Sequence, residues 1–221
     1  MTANSVIAQD LPFEYIGGDP ALDLVNTVDW TSRGPEQERL TDFDRLTEWA
    51  EGAGVLSPKF AAALRRKAAA KPREAEAVHR RTLQARQVLA RVFGAIAQGK
   101  PAGDGLNDFN RLLGQALEHM RVAPATGGRA GGSKLRLGWE DLESRLDSVI
   151  WPVVWSAASL IASDEAAQIR ICGGPDCGWM YVDRSRNGLR RWCQMATCGT
   201  REKSRRRYHR TRTPARARRR A

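Results

Sequence analysis

The chain has 221 residues, 42% of them hydrophobic and 28% charged, which fits one large or two modest soluble domains with room for a core. Its formal net charge of +11 is unevenly placed. Residues 170–221 hold 16 Lys/Arg against 3 Asp/Glu, whereas residues 1–169 hold 20 against 22. A nearly neutral body with an intensely basic C-terminal quarter points to a polyanionic partner. Asp10, Glu14 and Asp19 do not give the basic-then-apolar order of a secretory signal. The longest uncharged apolar stretch, between Asp147 and Asp164, contains Pro152 and falls short of the ~20 residues of a membrane span. The expectation is a soluble cytoplasmic protein with no membrane partner.

Along the chain, Gly17-Gly18 reads as a turn, with Asp19 as cap and Pro20 at a first helical position. A helix is expected from Ala21 to Trp30, with Ala21, Leu22, Leu24, Val25 and Val28 on one side and Asp23, Asn26, Thr27 and Trp30 on the other. Thr41 opens a second helix, ended by Gly52 or Gly54, and Ser57-Pro58 caps a third that runs to about Lys71. The longest helix spans about 72–98, with Val78, Thr82, Ala85, Leu89, Val92, Phe93 and Ile96 as its buried stripe. Leu106, Phe109, Leu112, Leu113, Leu117 and Met120 mark another helix. Residues 121–123 and 134–139 then form a β-hairpin around a glycine-rich tip. A last body helix is expected over 141–163, kinked at Pro152. The fold class is therefore mainly α with a small β-hairpin (α+β), a helical body over 1–165 ahead of a C-terminal module.

That module is set by cysteine spacing. Cys172-x4-Cys177-x15-Cys193-x4-Cys198 brings two close pairs to one point, as a tetrahedral Zn²⁺ site requires. Two disulfides or a redox pair are the alternatives. The first sits poorly with cysteines confined to one short segment, and the second with a spacing that is not Cys-x-x-Cys. Knuckle, hairpin and helix-borne ligands together make a treble-clef-like module over 166–213. One structural zinc is expected, its four thiolates leaving no open position for catalysis and carrying negative charge that nearby arginines offset. After Cys198 come Arg201, Lys203, Arg205, Arg206, Arg207 and Arg210 on a helix with no apolar stripe, which suits phosphate contact. Arg184, Arg186, Arg190 and Arg191 form a second candidate surface, and residues 214–221 read as a disordered basic tail.

The run Asp183-Arg184-Ser185-Arg186-Asn187-Gly188, followed by Arg191-Trp192-Cys193-Gln194-Met195-Ala196-Thr197-Cys198-Gly199, resembles the bacterial CGNR zinc finger. Here Thr200 stands where that family has Asn. Gly17 to Thr27 resembles the opening of the ABATE domain, which accompanies this finger in stress-responsive transcriptional regulators. The resemblance implies a nucleoid-associated DNA-binding protein.

Three functions follow as expectations. The first is a zinc-dependent transcriptional regulator on double-stranded DNA, its body sensing a small-molecule effector or forming a homodimer. The second is an RNA-binding or ribosome-associated protein. The third is an enzyme with an unrecognised site, disfavoured because no Gly-x-Ser-x-Gly or His-Glu-x-x-His is present. His79, His119 and His209 read as surface residues. Asp23, Asn26, Thr27 and Trp30 combine a carboxylate, an amide, a hydroxyl and an aromatic wall, the chemistry of a small-molecule site, although the same groups also suit a satisfied helix junction.

Overall fold

A computed structural model describes residues 12–31, 34–124 and 135–212. The expected hairpin tip and the tail after residue 213 lie outside the described residues. The described chain is mostly helical, with seven α-helices and three two-stranded antiparallel sheets. Helix α1 (Pro20–Val25) starts where Asp19 accepts the Ala21 amide at 2.8 Å. It ends at Asn26 and does not reach Trp30. There the chain turns into β1 (Val28–Thr31), which pairs antiparallel with β2 (Gly34–Glu38). The apolar spacing of 21–28 suits a helix, but Val28 and Trp30 meet strand partners instead, and tertiary pairing prevails over local periodicity.

Helix α2 (Phe43–Gly52) is capped by Asp42, whose carboxylate accepts the Arg45 amide at 2.8 Å, and not by Thr41. Ser57 caps α3 (Pro58–Ala70) as expected. The central α4 (Pro72–Ala97) buries Val78, Thr82, Ala85, Leu89, Val92 and Phe93. Helix α5 (Asp104–Leu117) lies at the outside of the bundle. It buries Phe109 and Ala116 but leaves Leu106 and Leu117 exposed, so its apolar stripe is narrower than the sequence suggests. Strands β3 (Met120–Pro124) and β4 (Leu135–Trp139) form the expected hairpin, with Val122 opposite Leu137. The single kinked helix expected over 141–163 is two elements, a 3₁₀ turn over Leu146–Ile150 and α6 (Trp151–Ile161). Pro152 sits in the first turn of α6, where its missing N–H removes no intrahelical bond, so it starts a helix and does not bend one.

The core runs through α1, α2, α4 and α6 around Leu22, Leu24, Trp49, Leu89, Phe93 and Val153. It continues into the C-terminal module. Ile169 on β5 (Ile169–Ile171) and Met180 and Val182 on β6 (Met180–Val182) are buried in the same cluster. A π-helical turn over Met195–Gly199 leads into α7 (Thr200–Arg212). His79 is a buried residue, its Nε2 2.8 Å from the Leu40 carbonyl, because α4 turns it inward towards the loop before α2. Among the described residues, no helix is long and apolar enough to cross a membrane.

Candidate metal centre and nucleic-acid interface

Cys172 and Cys177 lie in the loop between β5 and β6. Cys193 follows Trp192, and Cys198 falls in the π-helical turn that opens α7. The four sulfurs lie within 4.8 Å of one another. Sγ of Cys193 is 3.8 Å from that of Cys177 and 3.6 Å from that of Cys198. Tetrahedral zinc with bonds of ~2.3 Å places its sulfurs ~3.8 Å apart, so the set has the right size for that ion. These separations are far too long for disulfide bonds, and all four cysteines are free thiols.

The backbone is arranged around the sulfurs. Gly174 and Cys193 donate amides to Cys172 Sγ at 3.4 and 3.2 Å. A Cβ on Gly174 would meet Cys198 Sγ at 3.2 Å and Cys172 Sγ at 3.4 Å, so only glycine lets the knuckle close comfortably over the cluster. Hydrogen bonds from the Cys177 and Cys193 thiols, then these amides, hold Cys172 far below the ordinary thiol range. The same sharing with Cys172 pushes Cys177 and Cys193 up. Four crowded thiols thus share protons that a divalent cation would displace.

The segment that opens the body grips this module. The Asn26 side chain makes both hydrogen bonds of a strand neighbour, accepting the Met180 amide and donating to the Met180 carbonyl, each at 2.8 Å. Val182 donates its amide to the Gly17 carbonyl at 2.8 Å, and Gly178 to the Trp30 carbonyl at 2.9 Å. Trp179 Nε1 donates to the Val28 carbonyl at 3.1 Å. A Cβ on Gly178 would lie 2.5 Å from Cβ of Trp30, so the two elements touch backbone to side chain.

A model described as "CGNR zinc finger" matches residues 168–211. A second, ABATE, described as "Putative stress-induced transcription regulator", matches residues 18–164. The chain belongs to the ABATE family. It carries a CGNR zinc finger behind its ABATE domain. No curated protein matches it.

In this ABATE protein the four residues read as a ligand site have protein partners. Asn26 holds the finger. Asp23 accepts the Gly17 amide at 2.7 Å, and burial raises its carboxyl to about 6. Thr27 donates to the Leu24 carbonyl at 2.7 Å and accepts from Arg86 at 2.9 Å, while Trp30 Nε1 donates to the Val25 carbonyl at 3.0 Å. Asn26 and Trp30 sit at the joint between ABATE domain and finger, Asp23 braces the Gly17 turn, Thr27 is held within the body, and the polar atoms of all four are turned to the protein itself.

The basic residues divide in the same way. Arg190 is a clamp. Its guanidinium lies 4.0 Å over the Tyr181 ring and donates to the carbonyls of Trp192 at 3.0 Å and of Cys193. Arg184 bonds Glu165 at 2.6 Å and the Gly18 carbonyl at 2.7 Å, tying finger to body. Arg191 lies 5.4 Å from the Trp192 ring centroid. Arg205 and Arg206 both pair with the buried Glu202, whose carboxyl they hold down to about 2. Arg186, Arg201, Lys203, Arg207 and Arg210 are exposed. Residue spacing gave no sign of Asp183, which accepts the amides of Ser185 and Arg190 at 3.0 and 2.9 Å and so shapes the loop before Cys193. Thr200 donates its hydroxyl to the Met195 carbonyl at 3.1 Å and fastens the π-helical turn, so the departure from Asn keeps a hydrogen-bonding side chain at that position.

Proposed function

We propose that the chain binds duplex DNA as a transcriptional regulator, with α7 lying in the major groove and one structural zinc fixing the helix's first turn. The observation that carries this is the distribution of charge around α7. At about 100° per residue, Arg201 and Arg205 lie on one side and Lys203, Arg207 and Arg210 on roughly the opposite side. Every α7 residue whose side chain is described is exposed except Glu202. A helix riding on one phosphate strand needs cations on one face. A helix between two strands needs them on both. An α-helix with its side chains is about 10–12 Å wide and the B-DNA major groove about 12 Å, whereas the A-form RNA major groove is too narrow and deep to admit one. Cys172, Cys177, Cys193 and Cys198 would hold the ion, whose closed four-thiolate shell supplies shape and no open position for chemistry. This is a binding module and not an enzyme, and it works in the cytoplasm, where bacterial DNA lies.

The test compares the double variants Arg201→Ala/Arg205→Ala and Lys203→Ala/Arg207→Ala by titration against a DNA duplex at several salt concentrations. Each pair should weaken binding, with the log–log salt slope reduced by about 2 for Lys203/Arg207 and by about 1–2 for Arg201/Arg205, because Arg205 is shared with Glu202. An effect from only one pair places the helix along a single strand. Equal or tighter binding to single-stranded or duplex RNA favours the RNA reading, and affinity independent of salt defeats both.

A further inference from the structure

The DNA-binding reading leaves unused a cleft of about 560 Å³ between α4, α5 and residues 145–154. We propose that this cleft is a small-molecule site for a planar aromatic anion, the class to which an aryl carboxylate belongs. Its volume falls within the ~300–1,000 Å³ of ligand pockets, which combine an apolar lining with a few placed polar groups. Val78, Ala85, Leu112 and Val154 give it an apolar floor. One wall is flat. The His119 and Trp151 rings stack with centroids 3.9 Å apart and planes 6° from parallel, and the Arg145 guanidinium stands 5.9 Å from the Trp151 centroid. Trp151 is buried beneath this stack, so a ligand ring would lie parallel to the half-buried His119 ring, a surface that favours it over a flexible chain.

One cation at the mouth sets the sign of the ligand. Asp147 is used by Arg145 at 2.9 Å. Asp108 is shared by Arg91 at 2.7 Å and by Arg111. The lining itself holds three guanidinium groups, those of Arg81, Arg111 and Arg145, against the three carboxylates of Asp108, Glu118 and Asp147. Arg81 is exposed on α4 and makes no ion pair among the described residues, so it is the cation available to a ligand carboxylate. With Asp108 and Asp147 already held by Arg111 and Arg145, the unpaired Arg81 beside an apolar floor suits an anion with an aromatic body. This site lies apart from Asp23, Asn26 and Thr27. It also does not depend on the DNA reading.

The test titrates 1-naphthoate into the full zinc-loaded chain by calorimetry, with neutral 1-naphthylmethanol as comparison. Naphthoate should saturate at one per chain. Gln84→Trp places a ring at the mouth from an exposed position of α4 and should weaken both compounds at least tenfold. Arg81→Ala should weaken naphthoate several-fold and leave the alcohol unchanged. Both substitutions are at exposed positions, and an unchanged melting curve verifies that each variant is folded. Absence of saturable binding, or binding indifferent to both substitutions, overturns the site. Equal loss of acid and alcohol in Arg81→Ala overturns its preference for anions.

Discussion

Asn26 is 2% exposed and presents a peptide-like amide to the backbone of Met180, 154 residues away. No other standard side chain except Gln offers that donor–acceptor pair, and Gln would place it one methylene too far. Asn26→Ala leaves a buried N–H and a buried C=O unpaired, each costing about 1–3 kcal/mol. Denaturant unfolding of that variant should show a loss of about 2–4 kcal/mol and, because β6 carries the finger, weaker DNA binding as well. Unchanged stability would separate Asn26 from the joint. Asp23, three residues earlier, gives a pH signature. Burial raises its carboxyl to about 6 from an ordinary value of 3.8. Between those values the folded chain holds a proton that the unfolded chain has lost, so this residue's contribution to stability rises as pH falls from 7 towards 4. Acid also protonates thiolates, so the comparison is with Asp23→Asn, which shares that effect. From pH 7 to pH 5 the native chain should gain stability relative to the variant, and a parallel pH dependence would contradict the buried carboxylate.

At the scale of elements, helices α3 and α4 were legible because their caps and stripes are local. Ser57-Pro58 starts one, and the three-and-four spacing from Val78 to Phe93 needs no knowledge of what covers it. The cysteine set was legible for a related reason, since its ligands come from 27 consecutive residues, 172–198. Periodicity failed where the partner is distant. It ran α1 on to Trp30 because it cannot register that Asn26 is taken by β6 and Val28 by β2. It gave α5 a full stripe because Leu106 and Leu117 are apolar, although at the two ends of this helix it is Gly105 and Ala116 that are buried and the two leucines that face outward. The arginines show the same limit. Their basic character is plain in the sequence, but Arg184 is assigned by the Gly18 carbonyl, 166 residues away, and Arg190 reaches the Ile16 carbonyl across 174. The cleft between α4 and α5 had no signal of its own, because His119 and Trp151 are 32 residues apart and become one wall only when α6 packs against α5.

For the whole molecule, the four thiols and the body core share one hairpin. The thiols of Cys172 and Cys177 sit in its loop, while Ile169, Met180 and Val182 on its strands are buried among body side chains. Releasing the ion leaves four crowded thiols without the bond set that fixes the loop, and the slack reaches the strands directly. A finger that were a separate module would unfold by itself while the helical body stands. The packing argues for one coupled transition. Chelation or Cys193→Ser should therefore lower the melting midpoint of the helices in the body, seen by far-UV circular dichroism, along with any signal from α7. A loss of about 4 kcal/mol would move the midpoint by roughly 8–16 °C for a chain of this size. The Trp179 indole bonded to the Val28 carbonyl offers an independent readout, because its fluorescence should change in the same transition as the dichroism. A body midpoint that stays fixed while zinc leaves would show the finger to be separable, and β5 and β6 would then hold their place on α1 and α4 by packing alone.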